Sequence, residues 1–174
     1  MDRNDEGRRP LDVMCTEIVE RYHAALHRSL PEIRDELAAF AAGAPSLAAH
    51  EMCELFDELA ALIESHLAKE EHLVFPALSA LPEEDARPFL RPPPTFVTVL
   101  HPIRLLEAEH VRIEMTLGRL RELTLAIDEP ECLSEPFRRC MTHLGELDRQ
   151  LREHHRIENE VLFPRALEGE RQVL

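Results

Sequence analysis

His66, Glu70, Phe75 and Pro76 stand in the same register as His154, Glu158, Phe163 and Pro164, 88 residues further along the chain. An imidazole and a carboxylate four residues apart lie on one face of a helix, where they can converge on a common centre. A second pair of histidines follows the duplication, since His23 lies 43 residues before His66 and His110 lies 44 before His154. The chain reads as one helical hairpin used twice, each copy supplying two histidines and one glutamate. Four imidazoles and two carboxylates suit two metal ions. If each ion takes two imidazoles and both carboxylates bridge, each has four protein-derived ligands and keeps positions for an oxo or hydroxo bridge and an exogenous ligand. Mixed nitrogen and oxygen ligation with open positions points to two iron ions reacting with dioxygen or nitric oxide, with manganese and zinc as substitutes.

The elements that must position these groups are legible from periodicity. Leu55, Leu59, Leu62, His66, Glu70 and Leu73 follow three-four spacing, as do Leu144, Leu147, Leu151, His154, Glu158 and Val161 or Leu162. Ile103, Leu106, His110, Ile113, Leu117 and Leu120 make a third such stripe, and Val19, His23, Leu26, Leu30 and Ile33 a fourth. Each of four helices therefore points one histidine at the core. A first helix is predicted over 11–42, with Pro31 kinking or dividing it. Ser46 caps a second that runs to about 78, a third covers 96–126, and a fourth covers 135–166. Short turns make neighbours antiparallel. The fold class is all-α, an antiparallel up-down-up-down four-helix bundle in one domain. Hairpin one spans 11–78, a Pro-rich connection 81–94, and hairpin two 96–167.

Burying an unpaired carboxylate costs several kcal/mol, and each unsatisfied buried imidazole about 1–3, so six such groups on core stripes need partners. A metal pair satisfies all six together; a metal-free bundle with histidines bonded to neighbouring acids is the plainer alternative. A third alternative is ferritin-like ligation, because Glu20-x2-His23 and Glu107-x2-His110 match that pattern. Both glutamates lie beside the core line, which argues against it. Glu71 and Glu109 flank ligands and are candidate proton carriers. His27 reads as a surface or supporting residue, and His50, His72, His101, His143 and His155 fall outside the ligand set. Tyr22 reads as packing, as do Phe75 and Phe163.

Composition narrows the function classes. The 174 residues carry a formal net charge of -14 and only five glycines, which fits a helical domain and disfavours nucleic acid and anionic membrane as partners. The charged N-terminus lacks the apolar core of a signal peptide, so a cytoplasmic location is expected. Cys15, Cys53, Cys132 and Cys140 show no CxxC spacing and read as reduced thiols.

Arg21-Tyr-His23, Leu30-Pro-Glu32, His66-Leu-Ala-Lys-Glu-Glu71 running to Phe75-Pro76, Glu107-Ala-Glu-His110 and Glu158-Asn-Glu-Val-Leu-Phe-Pro-Arg-Ala-Leu167 together resemble the hemerythrin-like family, and within it the repair-of-iron-centres proteins. The resemblance implies a non-haem di-iron centre with His23, His66, His110 and His154 as ligands and Glu70 and Glu158 bridging. It also implies protection or repair of damaged iron-sulfur proteins under nitrosative or oxidative stress, or direct reaction with nitric oxide. Repair-of-iron-centres proteins carry a small N-terminal domain with adjacent cysteines, and no such pair stands in the ten residues before Leu11. Dioxygen-carrying hemerythrins use His-x3-His in the third helix and His-x4-Asp in the fourth. Here Glu114 follows His110 by four, and Asn159 follows His154 by five, which disfavours a reversible carrier. Gas binding or sensing without turnover remains as an alternative.

Overall fold

The computed structural model describes residues 9–43, 46–81, 98–125, 127 and 134–171, and these form four long helical rods with no strand among them. The first rod is α1 (Leu11–Ile18), a turn of π-helix (Val19–His23) and α2 (Ala24–Gly43). Pro31 does not divide it. That proline lies on an exposed face, where the carbonyl it leaves unbonded, that of the exposed His27, is open to solvent. The second rod starts as the sequence predicts, the Ser46 side chain accepting from the Ala49 N–H at 3.2 Å, and comprises α3 (Leu47–Lys69), a π turn (Glu70–Val74) and α4 (Phe75–Ser79). The third is α5 (Leu100–Thr124), with Pro102 in its first turn where no intrahelical donor is needed. Ser134 caps the fourth by accepting from the Phe137 N–H, and α6 (Glu135–Ile157), a π turn (Glu158–Leu162) and α7 (Phe163–Arg171) follow. The predicted 81–94 connection and most of the loop after residue 127 lie outside the described residues, as does Cys132. Cys15, Cys53 and Cys140 are free thiols. No helix among the described residues is long and apolar enough to cross a membrane.

Core membership shows the rods alternating in direction. One apolar core holds Leu26, Ile33, Phe40, Phe56, Ile63, Ile113, Leu117, Phe137 and Leu147. A second holds Met14, Ile18, Val74, Phe75, Ile103, Leu106, Leu162 and Phe163. The first and third rods run from the second core to the first, and the second and fourth run back, which is the up-down-up-down bundle. His23, His66, Glu70, His110, His154 and Glu158 belong to neither cluster; all lie where the two meet along their rods and are at most 2% exposed. They form a polar layer between two apolar ones.

The π turns correct the stripes read from sequence. Each accommodates one more residue per turn than an α-helix, so the inward register slips by one beyond it. Leu73, expected in the core, is 45% exposed while Val74 is buried. Leu162 rather than Val161 is buried, and Ile18 rather than Val19. The third rod has no π turn, and its stripe is buried from Ile103 to Leu120 as predicted. Pro76 and Pro164 are the second residues after two of the π turns, and a proline there cannot donate to the carbonyl four residues back, of His72 or Glu160, which favours a wider turn.

Candidate metal centre

Three of the four rods place a donor at the edge of a π turn: His23 ends one, and Glu70 and Glu158 begin the others. Such turns are frequent at functional sites because they re-aim a side chain without breaking the helix. The six donors collect into two groups, His23, Glu70, His154 and Glu158 in one and His66, Glu70, His110 and Glu158 in the other, with the ligand atoms of each group within 4.8 Å of one another. In the first group the Nε2 atoms of His23 and His154 are 3.2 Å apart, Glu70 Oε2 is 3.2 Å from His23 Nε2, and Glu158 Oε1 is 3.0 Å from His154 Nε2. In the second the Nε2 atoms of His66 and His110 are 3.1 Å apart, Glu70 Oε1 is 3.1 Å from His66, and Glu158 Oε2 is 3.2 Å from His110. Each carboxylate gives one oxygen to each group. Donors at about 2.1 Å from one ion and 90–110° apart are separated by about 3.0–3.4 Å, so these edges fit two ions bridged by both glutamates.

Outer hydrogen bonds hold three of the four imidazoles in the tautomer a metal requires, while His154 Nδ1 is buried without a partner. His23 Nδ1–H donates to Glu71 Oε1 at 2.8 Å, His66 Nδ1–H to Glu109 Oε2 at 3.1 Å, and His110 Nδ1–H to Asn159 Oδ1 at 3.1 Å. A carboxylate only accepts, so the proton sits on Nδ1, and Nε2 is left as the atom that can offer a lone pair inward. For His66 and His110, both fixed in this way, Nε2 lone pairs face each other at 3.1 Å and repel unless a cation lies between them. All four oxygens of Glu70 and Glu158 are likewise buried without a hydrogen-bond donor. Without a cation, burial and the neighbouring Glu158 charge push the Glu70 carboxyl well above the usual carboxylate range. Burial also opposes ionisation of Glu158, but a proton on the facing His154 and His110 imidazoles, standing where a cation would, holds that carboxyl well below it. The donor set is chemically apt for a divalent pair and electrostatically strained without one.

The sequence matches the family model described as the hemerythrin HHE cation binding domain over residues 15–89 and 101–173, one stretch for each hairpin. The chain belongs to the hemerythrin HHE family. Relatives include proteins named iron-sulfur cluster repair protein YtfE from Yersinia pestis (strain Pestoides F) and Yersinia pseudotuberculosis serotype O:1b (strain IP 31758). Each is 28% identical over 172 residues, covering 95% of this chain and 70% of the relative.

In this hemerythrin-like bundle the structure sorts the remaining candidates. Glu20 is exposed, and Glu107 bonds to Arg104 at 3.2 Å, so the described residues do not assemble the ferritin-like set. Glu71 and Glu109 sit at the rim of the polar layer, each one hydrogen bond from a ligand-set imidazole. Glu71 also approaches His27 Nε2 at 3.7 Å. Burial would raise the Glu109 carboxyl, but the Lys69 ammonium at 2.5 Å and His66 outweigh it and hold it below its usual range. Asn159 supports His110, and Glu114 is exposed. Tyr22 is buried and stacks on His154 with ring centroids 5.8 Å apart. Phe75 lies against His23 and Phe163 against His110, closing the layer on its second-core side.

His155 was missed by the stripe argument. Expected off the core line, it is 2% exposed, with its ring wedged among His66, His110 and His154 and a nitrogen close to those of His66 and His110. Burial, with the neighbouring His110 and His154, pushes its pKa down to about 2, so the ring is neutral. The signal that could have found it is a break in the duplication: the residue 88 positions earlier is Leu67.

Proposed function

We propose that this chain binds two iron ions between its two hairpins, as a single domain, and uses them to protect or repair iron-sulfur clusters under nitrosative or oxidative stress. The observation that carries the reading is the pair of donor groups sharing both oxygens of Glu70 and both of Glu158. Each group draws on both hairpins, so neither hairpin completes a site alone. The repair function named for the Yersinia relatives supports the second half of the reading. His23, His154, Glu70 and Glu158 would hold one ion, and His66, His110, Glu70 and Glu158 the other. When bound, a ferrous pair would supply electrons and open coordination positions to nitric oxide, dioxygen or peroxide.

The chain's own groups would prepare that chemistry. Glu71, Glu109 and Asn159 hold three ligand rings in the Nδ1–H tautomer and fix their aim. Phe75, Phe163, Leu106 and Leu162 wall the layer with apolar surface and limit water. Glu71, with 25% of its side chain exposed, and Glu109, with 17%, would carry protons between solvent and the layer. The net charge of -14 disfavours nucleic acid and anionic membrane as partners and leaves damaged iron-sulfur proteins and uncharged diatomic ligands met in the cytoplasm.

Anaerobic purification with iron quantification, followed by nitric oxide titration of the reduced protein and restoration of a damaged iron-sulfur enzyme, tests the reading. Two irons per chain, a rapid nitrosyl signal and a restored enzyme are expected. A two-iron reduced chain that neither binds nitric oxide nor restores the enzyme would overturn the function while leaving the metal centre intact. Clean reversible dioxygen binding would instead favour a gas-binding module.

A further inference from the structure

The duplication makes the two halves of the polar layer near copies, with Leu67 in the position that His155 occupies in the other half. Both are buried, at 0% and 2% exposure. Leu67 needs no polar partner. His155 does, yet neither its Nδ1 nor its Nε2 has a hydrogen bond among the described residues. A third imidazole on the His66–His110 ion would be one way to satisfy it, but the ring geometry argues otherwise. The ligand pairs meet edge to face, His23 with His154 at 62° and His66 with His110 at 72°, so their in-plane lone pairs converge. His155 lies face to face on His110, centroids 3.9 Å apart and planes 15° apart. Lone pairs in nearly parallel planes run side by side and do not meet at one ion. A nitrogen of His155 still lies within 4.8 Å of ligand nitrogens of both His66 and His110, beside the place where that ion would sit.

Resting on the two-iron reading above, we infer that His155 donates a hydrogen bond to a small exogenous ligand, an anion or a diatomic molecule, taken up at the His66–His110 half, and so makes that half the one that binds it. An imidazole offers an N–H for the purpose in either protonation state, whereas Leu67 offers none to the other half. His155 is then the residue that breaks the functional symmetry of a duplicated site.

Azide added to the iron-loaded, oxidised full chain is the probe, followed by optical titration, with iron counted on the same samples. His155→Leu installs the residue that the bundle already packs at position 67, so folding and two irons should be retained while azide affinity falls at least about tenfold. His155→Gln, which keeps an N–H donor, should recover most of that loss. The bound azide stretch should shift in deuterated water for the wild-type chain and not for His155→Leu. Unchanged azide affinity in His155→Leu would overturn the inference, and so would a two-iron wild-type chain that takes up no azide. Loss of one iron from His155→Leu would also overturn it, by making His155 a ligand. A wild-type chain that fails to hold two irons would overturn the metal-centre reading itself.

Discussion

Leu73 and Leu162 occupy neighbouring steps of equivalent π turns, and the same substitution at each should have sharply different costs. Leu162 is 0% exposed, and Leu162→Ala removes a side chain whose burial is worth about 1.5–3 kcal/mol. The cavity left in the second core brings the total to about 2–5 kcal/mol. Leu73 keeps 45% of its surface in water, and water can fill the space it leaves. Leu73→Ala should therefore cost about 1 kcal/mol or less. A difference of about 2–3 kcal/mol is roughly 30- to 150-fold in the unfolding constant. With a urea slope of about 2 kcal/mol/M it separates the midpoints by about 1–1.5 M. Urea unfolding of the metal-free chains, followed by circular dichroism, keeps metal affinity out of the comparison. An uninterrupted α-helical register reverses the expectation at position 73. If Leu73→Ala costs as much as Leu162→Ala, the slipped register is wrong.

Removing one imidazole from either donor group should lose metal. His66→Ala and His154→Ala are expected to fall below two irons per chain by elemental analysis, whereas Glu20→Ala and Glu107→Ala keep both; the opposite pattern would establish ferritin-like ligation. The metal-free chain should remain helical but melt at lower temperature, since an ion held at 100 times its dissociation constant adds about 2.7 kcal/mol. Equal melting temperatures at matched pH and concentration would sink the claim that metal organises the layer. Glu71→Ala and Glu109→Ala should slow reaction with nitric oxide while retaining iron, and a parallel loss of iron would mark these carboxylates as supports for His23 and His66 rather than proton carriers.

The donor cluster that the fold brings together was legible because its signal is doubled. His66 and Glu70 alone are an unremarkable i,i+4 pair, but their repetition at His154 and Glu158, with Phe-Pro at the same offset, cannot follow from helical patterning alone. The helix start at Ser46 was equally plain, because a hydroxyl before an apolar-periodic run has a specific backbone donor to satisfy. The π turns were not legible. A three-four template assumes 3.6 residues per turn throughout, and it misassigns Leu73 and Val19 once a wider turn intervenes. Periodicity also hid His155, since the template admits one inward histidine per helix, whereas the layer is wide enough to enclose two adjacent ones on the fourth rod. The outer acceptors were only half visible: Glu71 and Glu109 stood out as charges beside ligands, but Asn159 gained its role from the pairing of the third and fourth rods, which no local pattern encodes.

The polar layer has a consequence for cooperativity. An apolar core normally makes a domain unfold as one unit, but here two apolar clusters meet across a polar stratum that, on the two-iron reading, ions hold together. The second core rests largely on short pieces, α1, α4 and α7, beyond the π turns; the first is built from the long, uninterrupted parts of the rods. With ions present the layer is a rivet and the bundle should open as a whole. Without them, the α1, α4 and α7 end should exchange amide hydrogens at a lower free energy than the α2 and α3 end, as a separate foldon. Opening that end uncovers the layer while the rest stays folded, so on the two-iron reading the ions could leave or be handed on at the cost of a local melt.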